Sequence, residues 1–124
     1  MQYVLILAEI TDFDVDGILT GFSHENGRLN VLKSGIYYIY AQAFFGIFRH
    51  VGDLRNRVGL AVNGEVVSYL QSTYIPEGSD YGSRFTGAIK RLTKGDHISL
   101  IAVFPCELWM VKSITFFGAI KFGN

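Results

Sequence analysis

The run Ile36–Phe45 is apolar on both sides of an extended chain. Side chains in a strand alternate between the two faces. Tyr37, Ile39, Ala41, Ala43 and Phe45 therefore make one apolar face, and Tyr38, Tyr40, Gln42 and Phe44 make a second, aromatic one. A strand in a two-sheet sandwich needs only one buried face. Arg28–Leu32 obeys that rule, with Leu29 and Val31 opposite Arg28 and Asn30, and so does Arg57–Val62, with Val58, Leu60 and Val62 on one side. Two other segments break it. In Ile114–Phe122, Phe117 and Ala119 oppose Phe116, Gly118, Ile120 and Phe122; in Tyr3–Ile10, Val4, Ile6, Ala8 and Ile10 oppose Tyr3, Leu5 and Leu7. One small core cannot bury both sides of three strands. Gathered in one sheet, their surplus faces form an apolar patch of the kind that marks an interaction surface. Each large side chain buried there is worth about 1.5–3 kcal/mol, enough for several to drive tight self-association. A closed symmetric oligomer is the expectation.

Helical periodicity is hard to find in the rest of the chain. Strand-length runs recur at Leu19–Ser23, Val66–Ile75, Ser83–Leu92 and His97–Phe104. Asn26-Gly27 and Asn63-Gly64 are tight-hairpin pairs, because both central residues of a type I′ turn need positive φ. Pro76-Glu77-Gly78 and Lys94-Gly95-Asp96 mark two further turns. At 124 residues the chain is expected to be one domain spanning 1–124. About eight or nine strands in that length mean an all-β sandwich, barrel or jelly roll.

Charge excludes one class of partner. Eleven Lys and Arg balance eleven Asp and Glu, so nothing supplies the electrostatic footprint of a nucleic-acid binder. No run approaches the roughly 20 apolar residues needed to span a bilayer, so this segment is not expected to insert in a membrane. Met1–Ile10 lacks a basic leading segment and a small-residue cleavage site, and Glu9 interrupts it, so it does not read as a signal peptide. The single Cys106 cannot form an intrachain disulfide, and it reads as a buried or idle thiol.

Chemistry has little to stand on. Asp12, Asp14 and Asp16 before Gly17 match the first half of a calcium loop, but its twelfth position is Ser23 instead of a bidentate Glu. The favoured reading is a short Asp-rich turn without metal, with calcium as the alternative. His24, His50 and His97 lie on different segments and none neighbours Cys106 in sequence. There is no phosphate-binding glycine loop, no nucleophile elbow and no paired metal-ligand spacing. The reading is of a protein that is not an enzyme and uses no cofactor. Trp109 serves either as a lid over one end of the fold or as an exposed anchor for a partner, with the structural role preferred.

Three motifs carry a resemblance. Gly35-Ile-Tyr-Tyr-Ile-Tyr-Ala-Gln42, Gly87-Ala-Ile-Lys-Arg-Leu-Thr-Lys-Gly-Asp96 and Thr115-Phe-Phe-Gly-Ala-Ile-Lys-Phe122 resemble, in order and spacing, the central inner strand, the strand and turn that follow the sixth strand, and the terminal strand of the tumour necrosis factor ligand family. The segment Asn26–Leu32 and the terminal motif look nearest the ectodysplasin and B-cell-activating-factor branch. The resemblance implies a two-sheet antiparallel jelly roll, a compact homotrimer, and receptors held in grooves between neighbouring subunits. By position in the motifs, Tyr40, Phe85 and Phe116 match aromatic residues that meet near the threefold axis. The interface expected on this basis is Tyr38, Tyr40, Gln42, Phe44, Phe85, Phe116, Ile120 and Phe122. The inner sheet is expected to hold Tyr3–Ile10, Ile36–Phe45, Ser83–Leu92 and Ile114–Phe122.

The chain departs from the family pattern in several places. The cysteines of a common inter-loop disulfide are absent. The loop between the fourth and fifth strands is only the Asn63-Gly64 hairpin, and the first connection, Thr11 to Ile18, is short. A surface for a receptor of the tumour-necrosis-factor-receptor type is expected at Arg49, His50, Arg55, Arg57, Asn63, Glu65 and Tyr81. The basic cluster within it also suits an ordinary solvated loop. An extracellular location follows from the resemblance, either secreted or shed from an anchored precursor. Two alternatives stay open at this stage. A C1q-like ligand-binding head would share fold and trimer, and a cupin-like sugar- or metal-binding jelly roll would be monomeric.

Overall fold

The computed structural model describes residues 2–4, 8–10, 21–46, 57–71, 74–75, 78–79, 82–103, 106–111 and 114–124. Strands account for its regular structure, and among the described residues there is no helix. In chain order the strands are β1 (Gln2–Val4), β2 (Ala8–Ile10), β3 (Phe22–Glu25), β4 (Arg28–Val31), β5 (Gly35–Phe45), β6 (Arg57–Val62) and β7 (Glu65–Gln71). They continue with β8 (Tyr74–Ile75), β9 (Gly78–Ser79), β10 (Gly82–Leu92), β11 (His97–Ala102), β12 (Cys106–Leu108) and β13 (Phe116–Gly123).

Two antiparallel sheets result, as the patterning predicts. In the first, β5 is central. β10 pairs along its whole length, from Leu92 opposite Gly35 to Gly82 opposite Phe45. β13 takes the other edge from Ile36 to Gln42, and β12 meets the far end of that edge at Leu108 opposite Phe45, with β1 outside it. In the second sheet β11 is central. β6 lies on one edge; β4 and β2 share the other, β4 at His97 and Ile98, β2 from Leu100 to Ala102. β3 and β7 flank this sheet outside β4 and β6, while β8 and β9 form a separate small hairpin.

The expected strand Tyr3–Ile10 requires a correction. Its first part, β1, belongs to the β5 sheet, but β2 belongs to the β11 sheet. A segment that serves one sheet and then the other has the core first on one flank and then on the opposite one. It needs apolar residues at both parities, which imitates a strand with two buried faces. The run Val66–Ile75 also divides, into β7 and β8. β12 lies beyond the end of the expected strand His97–Phe104.

The core lies between the sheets. From β5 come Tyr37, Ile39, Ala41, Ala43 and Phe45, all at most 1% exposed. Facing them are Val58 and Leu60, Ile98, Leu100 and Ala102, Leu29 and Val31, with Leu70 and Leu92 also buried. Toward one end Tyr37 stacks edge-on against Phe22 at 5.5 Å, and its hydroxyl donates to the Lys33 carbonyl at 2.6 Å. Burial raises the Tyr37 pKa above its ordinary value.

Both Asn-Gly pairs form the turns expected. Asn26 and Gly27 have φ of 49° and 76°, Asn63 and Gly64 have 53° and 81°. The Asn63 hairpin is tied to the β10–β11 turn. Asn63 Nδ2 donates to Asp96 Oδ1 at 3.0 Å, and the His97 amide donates to Asn63 Oδ1 at 3.0 Å. The Thr93 amide donates to Asp96 Oδ2 at 2.8 Å, and the Val31 amide to the Asp96 carbonyl at 2.8 Å. Asp96 thus ties together three segments at this end of the sandwich, its carboxylate bonding Asn63 and Thr93 and its carbonyl bonding Val31. The Asn63 and Thr93 donors hold the Asp96 carboxyl below its ordinary pKa, with a smaller contribution from His97, against a partial opposing effect of burial.

Candidate functional site

The face of the β5 sheet turned away from the core is built in rows. Register places Phe85, Gln42 and Phe116 side by side across β10, β5 and β13. The next rows are Gly87, Tyr40 and Gly118, then Ile89, Tyr38 and Ile120. Phe85 is 57% exposed, Ile89 66%, Ile120 59% and Phe122 57%. Tyr38, Tyr40, Gln42, Phe44 and Phe116 are half-buried by one another and by the backbone beneath. Water therefore touches a broad apolar surface on the side opposite the core.

Tyr40 is the hub. Its ring stacks on Phe85 at 6.5 Å and 15° and meets Phe116 edge-on at 6.4 Å and 71°. Tyr38 stacks on Tyr40 at 5.9 Å. Glycines on both neighbouring strands permit this arrangement. A Cβ on Gly87 would strike the Tyr38 ring, and one on Gly118 would strike the Tyr40 hydroxyl end. With no side chains there, the two tyrosines lie flat along the sheet and present ring faces outward. Gln42, the polar member of the patch, donates its amide to the Ile114 carbonyl at 3.1 Å. Its hydrogen bond is made within the chain.

The surface continues to Trp109. Its ring packs on Phe44 at 5.0 Å while 40% of the residue remains exposed. Its amide donates to the Phe44 carbonyl at 3.0 Å. Buried Thr115 fixes the junction: its hydroxyl donates to the Trp109 carbonyl at 2.7 Å and accepts the Phe44 amide at 3.0 Å. Trp109 is thus structurally held and half open to solvent, combining features of both roles expected of it.

Solved structures share this architecture. Murine APRIL at pH 5.0 matches with a TM-score of 0.71 and 20% identity, over 98% of this chain and 92% of that one. Eiger TNF from S. frugiperda matches at 0.64 and 19%, over 80% and 66%. Rabbit GITRL matches at 0.60 and 22%, over 82% and 76%. Identities this low establish the jelly-roll fold alone. No curated protein sequence matches significantly. The sequence model of the TNF (Tumour Necrosis Factor) family matches residues 16–122. The chain belongs to the TNF family. Ligands of that family are cytokines, not enzymes.

For a TNF-family chain the expected axial residues Tyr40, Phe85 and Phe116 form one cluster, and Tyr38, Gln42, Phe44 and Ile120 share their face, while exposed Phe122 falls at the register shift between Lys121 and Gly123. Sequence reasoning missed Ile89, the most exposed of the large apolar residues there. Counting alternate positions from Phe85 through Gly87 would have found it.

Of the expected receptor residues, Arg57, Asn63 and Glu65 lie within the described residues, and Arg57 stands apart from the other two. Arg57 opens β6, where its guanidinium lies 5.3 Å over the Tyr69 ring and its Nε donates to Gln71 Oε1 at 2.7 Å. Asn63 and Glu65 sit at the opposite end of the same hairpin, about 20 Å away at roughly 3.3 Å per residue. The Asn63 side chain is also engaged in the Asp96 clasp. Arg49, His50, Arg55 and Tyr81 lie outside the described residues, as do Asp12, Asp14 and Asp16 of the calcium candidate. Among the described residues no group of three or more His, Cys, Asp or Glu could hold a metal ion. A depression of about 260 Å³ beside the β3–β4 hairpin is lined by Glu25, Asn26, Arg28 and Asn30. Among the described residues no helix is long and apolar enough to cross a membrane.

Proposed function

We propose that this chain is a trimeric TNF-type ligand that acts by gathering cell-surface receptors. The outward face of the β5 sheet carries the proposal. Phe85, Ile89, Ile120 and Phe122 each leave more than half their surface in water, around a ring cluster centred on Tyr40. Three copies packed about a threefold axis would cover that face on every subunit through one heterologous contact repeated three times. Tyr38, Tyr40, Gln42, Phe44, Phe85, Phe116, Ile120 and Phe122 are the proposed interface, with Ile89 added.

Assembly is then the activity. A groove between neighbouring subunits exists only in the trimer, since a lone chain offers one wall. Each trimer presents three grooves, and occupying them draws receptors together on the cell surface. Family membership and the fold shared with other TNF-type ligands support this reading and an extracellular location. Sedimentation across a wide dilution series tests it. The expected species has about three times the chain mass of 13.9 kDa and survives dilution. A monomer at all concentrations would remove the groove and the clustering mechanism with it.

A further inference from the structure

The two Asn-Gly turns share a sequence and a shape but not their surroundings. Asn26 and Asn63 are both exposed, and both stand at positive φ, 49° and 53°, ahead of a glycine. Three hydrogen bonds hold Asn63. Its amide donates to the His97 carbonyl at 2.9 Å, its Nδ2 donates to Asp96 Oδ1 at 3.0 Å, and its Oδ1 accepts the His97 amide at 3.0 Å. The Asn26 side chain makes no hydrogen bond among the described residues. It borders the depression of about 260 Å³ that Glu25, Arg28 and Asn30 also line. Gly27 itself is covered, so water reaches this turn from the Asn26 side. The hairpin is also free to open: β3 is an edge strand paired with β4 alone, and segments with few partners open locally at low free energy.

An asparagine followed by glycine carries its own nucleophile. When the glycine amide gives its proton to hydroxide, its nitrogen attacks the asparagine Cγ. A C–N bond closes a succinimide ring, the bond from Cγ to the side-chain nitrogen breaks, and that nitrogen leaves as ammonia after taking a proton from water. A second water then adds to either ring carbonyl and opens the ring. The product is aspartate, or isoaspartate where the main chain now runs through the former side chain. Glycine obstructs the attack least, because it has no Cβ beside the nitrogen. The asparagine side chain must be free to swing onto the following amide. Asn63 has first to break its bonds to Asp96 and His97; Asn26 has no such bond to break.

We propose that Asn26-Gly27 is a site of spontaneous modification, converting to aspartyl and isoaspartyl forms in the folded protein while the Asp96 clasp spares Asn63-Gly64. Either product places a carboxylate at the hairpin tip beside Glu25, in a chain whose formal net charge is zero. The isoaspartyl form also adds a methylene to the main chain of a turn whose length sets the β3–β4 register. A second, more acidic form of the protein therefore accumulates with time. The hairpin belongs to the β11 sheet, across the core from the β5 face, so the conversion leaves the assembly surface alone and the proposal stands apart from the trimer.

The test is incubation of the intact protein at mildly alkaline pH, in buffer and in guanidinium chloride, followed by tryptic digestion and mass spectrometry. Cleavage after Arg28 puts the two turns on different peptides. In buffer the Asn26 peptide should turn from amide to acid at least about tenfold faster than the Asn63 peptide, the factor expected from hydrogen bonds that Asn63 alone must break. It should elute as two products of equal mass, aspartyl and isoaspartyl. In guanidinium chloride the two rates should become similar, since the unfolded chain keeps neither arrangement. Asn26→Gly, which suits the positive φ, should remove the acidic form on ion exchange and leave circular dichroism and sedimentation unchanged. Three outcomes would overturn the proposal: no conversion of Asn26 in the folded protein, conversion of Asn63 as fast or faster there, or a rate gap that persists in guanidinium chloride. An acidic form that survives undiminished in the Asn26→Gly variant would also overturn it.

Discussion

Phe85 and Tyr69 make a matched pair for testing which face assembles. Both are exposed aromatic side chains, 57% and 54% accessible, and they stand on different sheets. Burying a phenylalanine fully is worth about 1.5–3 kcal/mol. With 57% of Phe85 in water in the single chain, roughly 0.9–1.7 kcal/mol of that is left for assembly. A trimer loses it three times on Phe85→Ala, about 2.6–5 kcal/mol in all, or roughly two to four decades in the association constant. A monomer–trimer constant scales as the square of concentration, so the midpoint concentration should rise by about one to two decades. Sedimentation equilibrium reads that midpoint, with a fixed moderate urea concentration to bring it into range. Tyr69→Ala, which strips a ring from beneath Arg57 at the edge of the other sheet, should leave the midpoint within about twofold. Superimposable curves for the unaltered protein and Phe85→Ala would refute the assignment of the β5 face. So would a shift produced by Tyr69→Ala alone.

Two further outcomes follow from the hydrogen-bonded junctions. Asp96→Asn should cost about 1 kcal/mol at neutral pH in denaturant titrations. Because the folded-state pKa of Asp96 is lowered, the carboxylate contributes fully above its unfolded pKa and its contribution fades as pH falls through the folded value. The gap between variant and unaltered protein should therefore close in acid; a gap that widened below the ordinary 3.8 would contradict the clasp. Thr115→Val leaves the Phe44 amide and the Trp109 carbonyl without their shared hydroxyl, at about 1–3 kcal/mol. Since the chain has one tryptophan, its fluorescence should also shift, and unchanged emission together with unchanged stability would remove the role assigned to Thr115.

Much of the fold was legible because two local signals are strong. Asn-Gly pairs fix hairpin positions through the φ values they tolerate, and both formed. Period-two patterning then assigned the core side of β5, β6 and β13 correctly. Patterning failed at Tyr3–Ile10, where a change of sheet and a two-faced strand leave the same trace in sequence. The described members of the expected receptor set lie apart for a different reason. Arg57 and Asn63 are six positions apart in sequence, yet an extended strand turns that closeness into the length of the sandwich. Asn63 carries a second lesson: a polar residue at a hairpin tip can be committed to its own fold, as its bonds to Asp96 and His97 show.

Tyr37 and Tyr38 show what sequence can and cannot separate within a two-faced strand. They are adjacent and chemically identical, yet Tyr37 is 1% exposed with its hydroxyl donated to Lys33, while Tyr38 lies outward over Gly87. Nothing about either residue alone distinguishes them. Their partners of equal parity do. Tyr37 belongs with Ala41 and Ala43, small residues suited to the closest approach of two sheets. Tyr38 belongs with Tyr40, Gln42 and Phe44, a series of large side chains that, among the described residues, no opposing sheet covers. The same test explains why Ile89 escaped notice. Flanked in sequence by Ala88 and Lys90, it looks like an isolated apolar residue on a charged strand. Only the register that sets it beside Tyr38 and Ile120 makes it part of the surface. In a strand with two apolar faces, size along each parity identifies the core side, and neighbours across the sheet identify the extent of the other.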